Sequence, residues 1–153
     1  MNPEDIRRCL LQALKMVEQN DSALLEWDLS ERCIATRLAM YLQHLFPDYS
    51  VDVEYNRIAY EPKTLLLPEQ CANARGDNNE PLVLPDIIVH KRGPQGPNLL
   101  VLEVKKTTNR TSRDCDRMRL LAFREQLDYS AAARIECETR GYRERTVTIA
   151  DWF

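Results

Sequence analysis

Three ionisable residues stand within two apolar segments of the sequence. Asp86 lies in LVLPDIIVH, and Glu103 and Lys105 lie in NLLVLEVKK. Nearly continuous apolar runs of this kind are typical of strands in a sheet that is covered on both faces. A charge set into such a strand costs free energy unless it pairs with another charge or binds an ion. We therefore expect these three residues to have a chemical role.

The segment between the two runs predicts how the three residues meet. Its glycines and prolines stop both strands and force a turn, so we predict a β-hairpin centred between Pro94 and Gln95. Residues equidistant from that centre face each other, which places Asp86 across from about Glu103, within a slip of one or two residues. Glu103 and Lys105 are two residues apart and therefore leave the same face of their strand. The three groups should converge at one end of the hairpin.

Two neighbouring carboxylates and an ammonium group suit metal-assisted hydrolysis of a phosphodiester. A hard divalent cation such as Mg²⁺ relieves the repulsion between the carboxylates and uses their oxygens as ligands. A lysine beside the cation can position a metal-bound water, help to deprotonate it, or counter the charge that develops on a phosphate. The predicted chemistry is phosphodiester hydrolysis.

The sequence Pro85-Asp86, followed after the hairpin by Glu103-Val104-Lys105, resembles the motif of the PD-(D/E)XK nuclease superfamily, also called restriction-endonuclease-like. The resemblance implies a core in the order helix, three strands, helix, strand. It implies that Asp86 and Glu103 bind Mg²⁺ or Mn²⁺ with the Val104 carbonyl as a further ligand. It also implies that Lys105 orients or activates the attacking water, and that the substrate is nucleic acid, with DNA favoured.

An acidic residue from the helix before the first core strand often completes sites of this family. Glu31 is the candidate for that place, and Glu54, on the polar face of VDVEYNR, is the alternative. Glu31 also fits a capping box that begins at Asp28, because a carboxylate three residues into a helix start can bond back to the cap. The two roles of Glu31 are compatible.

The remaining elements follow from the spacing of apolar residues. Helical periodicity predicts amphipathic helices, and period-two alternation predicts strands with one buried face. The predicted helices cover 4–19, about 29–46 and about 113–129, and the further strands lie at 51–57, about 132–138 and within 145–152. The inward-facing residues of the third helix are predicted to be Met118, Leu121, Phe123 or Ala122, and Leu127. A long excursion is expected over 61–81, where prolines and polar residues accumulate. We predict one α/β domain over 1–153, with a restriction-endonuclease-like core over about 29–138 and a central mixed β-sheet flanked by helices.

A basic segment follows the predicted site directly. Its candidate contacts to nucleic-acid phosphates are Lys106, Arg110, Arg113 and Arg117. The start of a helix favours anions, because its backbone N–H groups are unpaired. A solvated helix start explains the same charges equally well, and the sequence does not separate the two readings.

Composition limits the remaining function classes. The chain has 153 residues and a net charge of −3, so bulk electrostatic coating of nucleic acid is not expected. Neither a signal peptide nor a membrane span is evident, and the five separated cysteines predict reduced thiols, so we expect a cytoplasmic protein.

The small size of the chain, without an evident recognition domain, predicts a homodimer, a larger assembly or low sequence specificity. Two rival functions stay open. One is an inactive nuclease-fold module that binds nucleic acid or a protein partner, and the other is an α/β protein in which the motif is coincidental.

Overall fold

The computed structural model describes residues 1–55, 65–76, 81–93, 96–140 and 144–153. The helices are α1 (Pro3–Asn20), α2 (Ser22–Glu26), α3 (Glu31–Leu45) and α4 (Asp114–Gln126). The strands are β1 (Ser50–Val53), β2 (Ala74–Arg75), β3 (Pro81–Leu82), β4 (Ile87–His90), β5 (Asn98–Lys106), β6 (Ala131–Cys137) and β7 (Val147–Trp152). A short 3₁₀ helix covers Glu69–Cys71.

The helices begin where the sequence supplies caps. The Asn2 side chain accepts a hydrogen bond from the Asp5 backbone at the start of α1, and Ser30 accepts one from Cys33 at the start of α3. Such caps satisfy N–H groups that have no partner within the helix. The predicted helices over 4–19 and 29–46 are confirmed to within two residues. The five-residue helix α2 is absent from the prediction, because an element this short has too few residues to show helical periodicity.

The central sheet has five strands in the order β1-β4-β5-β6-β7. Neighbouring strands run antiparallel, except that β5 and β6 are parallel. The connection between the parallel pair passes through α4, as a parallel crossover requires. The predicted α/β class with a mixed sheet flanked by helices is therefore confirmed.

The hairpin formed by β4 and β5 has the register that the sequence predicts. Ile87 pairs with Leu102 and Val89 pairs with Leu100, so continuing the register by one residue places Asp86 opposite Glu103. A bulge shifts the pairing at His90, which faces Asn98. The predicted centre between Pro94 and Gln95 lies outside the described residues.

The two faces of the sheet are covered by different helices. The larger apolar cluster joins α1 and α3 to one face, through side chains such as Leu10, Leu38 and Leu102. The smaller cluster on the opposite face joins Ile88 and other strand residues to α4. Both faces of β4 and β5 are thus buried, as their continuous apolar sequences predict.

Three details of the predicted elements are wrong. The strand predicted over 51–57 stops at Val53, and Glu54 follows with a positive φ of 52°, which breaks the extended backbone; residues 56–57 lie outside the described residues. The run before Asp86 does not continue β4, because Pro85 lacks the N–H that a strand needs, and β3 instead pairs with β2. Met118, predicted to face inward from α4, is 40% exposed.

The prediction of five reduced thiols is also wrong for two of them. Cys71 and Cys115 form a disulfide, with their Cα atoms 5.0 Å apart and a sequence separation of 44. Folding brings the 3₁₀ helix onto the start of α4, a long-range contact that cysteine spacing does not reveal. Cys9, Cys33 and Cys137 are free. None of the helices in the described ranges combines the length and apolar composition needed to cross a bilayer.

Candidate active site

Asp86 sits at the point where β4 begins, beside the middle of β5. Its Oδ2 accepts a hydrogen bond of 2.7 Å from the Val104 backbone N–H. Burial raises the pKa of Asp86 to about 6, and the nearby Glu31 carboxylate adds to the rise, although the Val104 hydrogen bond and the Lys105 charge act against it. Asp86 is therefore a buried carboxylate, and its cationic neighbours do not offset the cost of burying its charge.

Glu103 is the more deeply buried of the two carboxylates, with 2% of its surface exposed. Arg119, on α4, donates to both of its oxygens, from Nε over 3.1 Å and from Nη2 over 3.3 Å. Burial and the Asp86 charge nevertheless raise the pKa of Glu103 to about 7, against the opposing effect of Arg119. The influence of Asp86 on Glu103 follows from the register that sets them opposite each other.

Lys105 extends from the same face of β5 toward α4. Its Nζ lies 3.6 Å from Oδ1 of Asp116, which also accepts a hydrogen bond of 2.5 Å from Arg119. The other oxygen of Asp116, Oδ2, is buried and has no hydrogen-bond partner among the described residues. Lys105, Glu103, Arg119 and Asp116 thus form one charged cluster between β5 and α4.

The oxygen atoms near Asp86 suit a hard divalent cation. The Val104 carbonyl faces the Asp86 edge of β5, because the N–H and C=O of a strand residue point to the same side and the Val104 N–H bonds Asp86. Two carboxylates and a carbonyl are ligands that Mg²⁺ accepts, with waters completing its shell. No cluster of three or more His, Cys, Asp or Glu side chains suited to a metal occurs in the described part of the chain. Any ion here would rest on this smaller oxygen set, in which both oxygens of Glu103 also accept hydrogen bonds from Arg119.

The structure places the two candidates for the third acid differently. Glu31 begins α3 and reaches β5, where its Oε2 accepts a hydrogen bond of 2.7 Å from the Lys106 backbone, and Asn109 donates to its Oε1 over 3.1 Å. Glu54 instead forms a 2.7 Å ion pair with Arg32 at the surface. Of the two, Glu31 is the one whose charge acts on Asp86, which favours it as the additional acid.

Three of the four predicted phosphate contacts are paired with carboxylates of the chain itself. Lys106 lies 3.0 Å from Asp28, and Arg113 lies 2.9 Å from Glu136. Arg117 lies 3.0 Å from Asp151. The fourth, Arg110, is exposed and has no ion pair within the described ranges. The basic segment is therefore largely neutralised by internal partners.

Arg119 and Asp116 were missed as site residues by the sequence analysis. They are three residues apart on α4, a spacing that places side chains on one helical face. The signal available was this opposite-charge pair, but the same pattern occurs on solvated helices. Only the packing of α4 on β5 shows that the pair is buried.

Searches of family models, curated proteins and solved structures found no match to the chain.

Proposed function

We propose that the protein is a Mg²⁺- or Mn²⁺-dependent nuclease that hydrolyses phosphodiester bonds of nucleic acid, with DNA as the favoured substrate. The observation that carries the proposal is the pairing register that sets Asp86 opposite Glu103 in a buried hairpin. Burial raises the pKa of both carboxylates, so a bound cation would offset the cost of burying their negative charges. Buried groups perturbed in this way are enriched at catalytic sites.

The order of elements supports a restriction-endonuclease-like core. α3, β1, β4, β5, α4 and β6 follow in the order helix, three strands, helix, strand, and all four strands belong to one sheet. The parallel pairing of β5 with β6 brings α4 against the strand that carries Glu103 and Lys105. These features agree with what the PD-(D/E)XK resemblance implies.

In the proposed reaction each residue has a separate task. A bound divalent cation would polarise a phosphate oxygen and lower the pKa of a coordinated water. Asp86, Glu103 and the Val104 carbonyl would hold the cation, and Glu31 would support the site from α3. Lys105 would orient the attacking water or stabilise charge on the phosphate.

A binding module without turnover is the second candidate, and one contact favours it. Arg119 donates to both oxygens of Glu103, so the guanidinium group of the protein itself already pairs with a proposed metal ligand. A protein that retained the fold but used Arg119 in place of a metal would bind its partner without cleaving it. The exposed Arg110 would then be a candidate contact to that partner.

Cleavage assays separate the two candidates. Plasmid and single-stranded DNA are incubated with the protein in Mg²⁺, Mn²⁺ or EDTA, and the variants are Asp86→Asn and Lys105→Met. Asp114→Asn is the matched control, because Asp114 lies on the same helix as Asp116 but its side chain is 85% exposed. We expect cleavage that needs metal, is lost in both site variants and persists in the control. Equal cleavage by all three variants would contradict the proposal, and metal-independent DNA retention without cleavage would support the binding module.

Assembly and compartment belong to the same proposal. Because three of the four candidate cations of the basic segment are internally paired and the chain is net acidic, one copy offers DNA little positive charge along that segment. We propose that a homodimer or a larger assembly supplies the remaining contacts. The Cys71–Cys115 disulfide counts against the predicted cytoplasmic location, since structural disulfides are uncommon there.

A further inference from the structure

The Cys71–Cys115 disulfide lies directly beside the charged cluster between β5 and α4. Cys115 is the neighbour of Asp116 in the first turn of α4. Cys71 ends the 3₁₀ helix, and its backbone carbonyl accepts a hydrogen bond of 3.1 Å from Nη1 of Arg119. The disulfide therefore links the 3₁₀ helix, whose last carbonyl accepts a hydrogen bond from Arg119, to the first turn of the helix that carries Arg119.

Arg119 has three anchors, which together engage all three nitrogens of the guanidinium group. Nε and Nη2 donate to Glu103, Nη2 also donates to Asp116, and Nη1 donates to the Cys71 carbonyl. The residue is 6% exposed, so water does not replace a lost partner easily. A rigid planar fork with this set of partners fixes the orientation of Arg119 on Glu103.

We propose that Arg119 is a positioning residue that holds Glu103 in the absence of a metal, and that the Cys71–Cys115 disulfide keeps this contact in place. Reduction of the disulfide frees the 3₁₀ helix from α4, removes the Cys71 carbonyl from Arg119, and makes Glu103 more available to a divalent cation. The reducing agent is a dithiol, which gives two electrons and two protons to the disulfide. Two cysteine thiols form, and the dithiol becomes a disulfide. The part of this inference that concerns metal affinity rests on the proposed function.

The first experiment measures Arg119 directly, in protein without metal. The exchange of the Arg119 Nε–H with solvent is followed by nuclear magnetic resonance before and after treatment with dithiothreitol, with the disulfide state checked by mass spectrometry. We expect slow exchange in the oxidised protein. Exchange should be ~2- to 10-fold faster in the reduced protein, because that factor corresponds to the loss of about one hydrogen bond. The same exchange rate in both states would overturn the proposal, whether or not the protein binds metal.

The second experiment measures Mn²⁺ affinity by calorimetry in both redox states. Affinity should rise by ~2- to 10-fold on reduction of the wild type, for the same reason. Cys71→Ser and Cys115→Ser should show the raised affinity without reductant. Cys33→Ser is the control, because Cys33 is a free cysteine on α3, and it should respond to reductant as the wild type does. Arg119→Lys, which keeps the charge but loses the fork, should bind Mn²⁺ equally in both states.

The outcomes distinguish this inference from the proposed function. If Arg119 exchange changes with the redox state but no variant binds Mn²⁺, the positioning role stands and the metal site is wrong. If Mn²⁺ binds with the same affinity in the oxidised and reduced wild type, the metal site stands and the redox control is wrong.

Discussion

Strand β4 has a carboxylate beside each of its ends, and the two sites balance their charges differently. Near the His90 end, Asp52 contacts His90 Nε2 at 2.8 Å and Arg92 Nε at 3.0 Å. Burial raises the pKa of Asp52, but the hydrogen bonds from Arg92 and His90 outweigh it and hold the pKa below its usual value. At the opposite end, burial and neighbouring carboxylates raise the pKa of both Asp86 and Glu103.

The contrast separates a structural ion pair from a candidate site. Asp52 lies among donors supplied by the chain, so its charge is already compensated and it needs no ligand. Asp86 and Glu103 share their surroundings with Glu31 and Asp116, and the cations Lys105 and Arg119 do not restore an ordinary pKa. A buried carboxylate pair whose ionised forms remain costly is the one that a divalent cation would stabilise.

The largest expected effect is the difference in DNA cleavage between a carboxylate substitution at one end of β4 and one at the other end. Glu103→Gln should lower the rate of DNA cleavage by ~10³-fold, because a metal contributes several kcal/mol of transition-state stabilisation. Asp52→Asn should leave the rate unchanged and lower the free energy of unfolding by ~1–3 kcal/mol, since it removes the charge that pairs with the buried His90 side chain. Cleavage rates and urea unfolding of both variants test the comparison. Loss of cleavage in Asp52→Asn with a normal fold would contradict it.

The next largest effect on cleavage should come from substituting the acid that completes the proposed site. Glu31→Gln should reduce cleavage by ~10- to 100-fold, as expected for a group that supports metal ligands. Glu54→Gln is the matched control, because the Glu54 side chain pairs with Arg32 and should not alter cleavage measurably. Steady-state kinetics of the two variants decide between them, and the reverse order would assign the role to Glu54.

The pH dependence sharpens the comparison further. The pKa of Glu103 is about 7 in the folded protein against an ordinary 4.5, so within this range the folded state holds more protons than the unfolded state. The Glu103 contribution to the free energy of unfolding is therefore present at low pH and is lost as the pH rises toward about 7. Asp52 acts in the opposite direction, and its contribution is lost as the pH falls below its ordinary value of 3.8.

Urea unfolding across this range measures the Glu103 effect. The free energy of unfolding of the wild type, measured relative to that of Glu103→Gln, should fall as the pH rises from about 5 to about 8. Affinity for Mn²⁺ should rise over the same range, because metal ligands must lose their protons. A wild-type pH profile parallel to that of the variant would show that Glu103 has no raised pKa.

Substitutions in the basic segment should have the smallest effects, and these should appear in DNA binding. Arg110→Ala should weaken DNA binding uniformly across sequences and reduce the salt dependence by about one unit of slope, as for a single phosphate contact. Arg113→Ala should change DNA binding less and stability more, because Arg113 is paired with Glu136. Binding titrations at several salt concentrations check this order. A larger binding loss in Arg113→Ala would mean that DNA displaces its internal partner.

The hairpin was predictable because its information is local. Glycine and proline positions fix the turn, and the period of two in a strand then fixes which residues face each other, so the Asp86 and Glu103 pairing followed from the sequence. Arg119 and the Cys71–Cys115 disulfide were not predictable. Both depend on how α4 and the 3₁₀ helix pack against β5, a contact between distant parts of the chain that no local pattern encodes.

The proposed metal site requires that Asp86 and Glu103 hold one divalent cation between them. Crystals of the reduced protein soaked in Mn²⁺, with anomalous diffraction data collected near the manganese edge, test it directly. We expect a single anomalous peak within ligand distance of both carboxylates and of the Val104 carbonyl, and no such peak in Asp86→Asn crystals. A wild-type map with no peak there, while Arg119 still donates to both Glu103 oxygens, would contradict it.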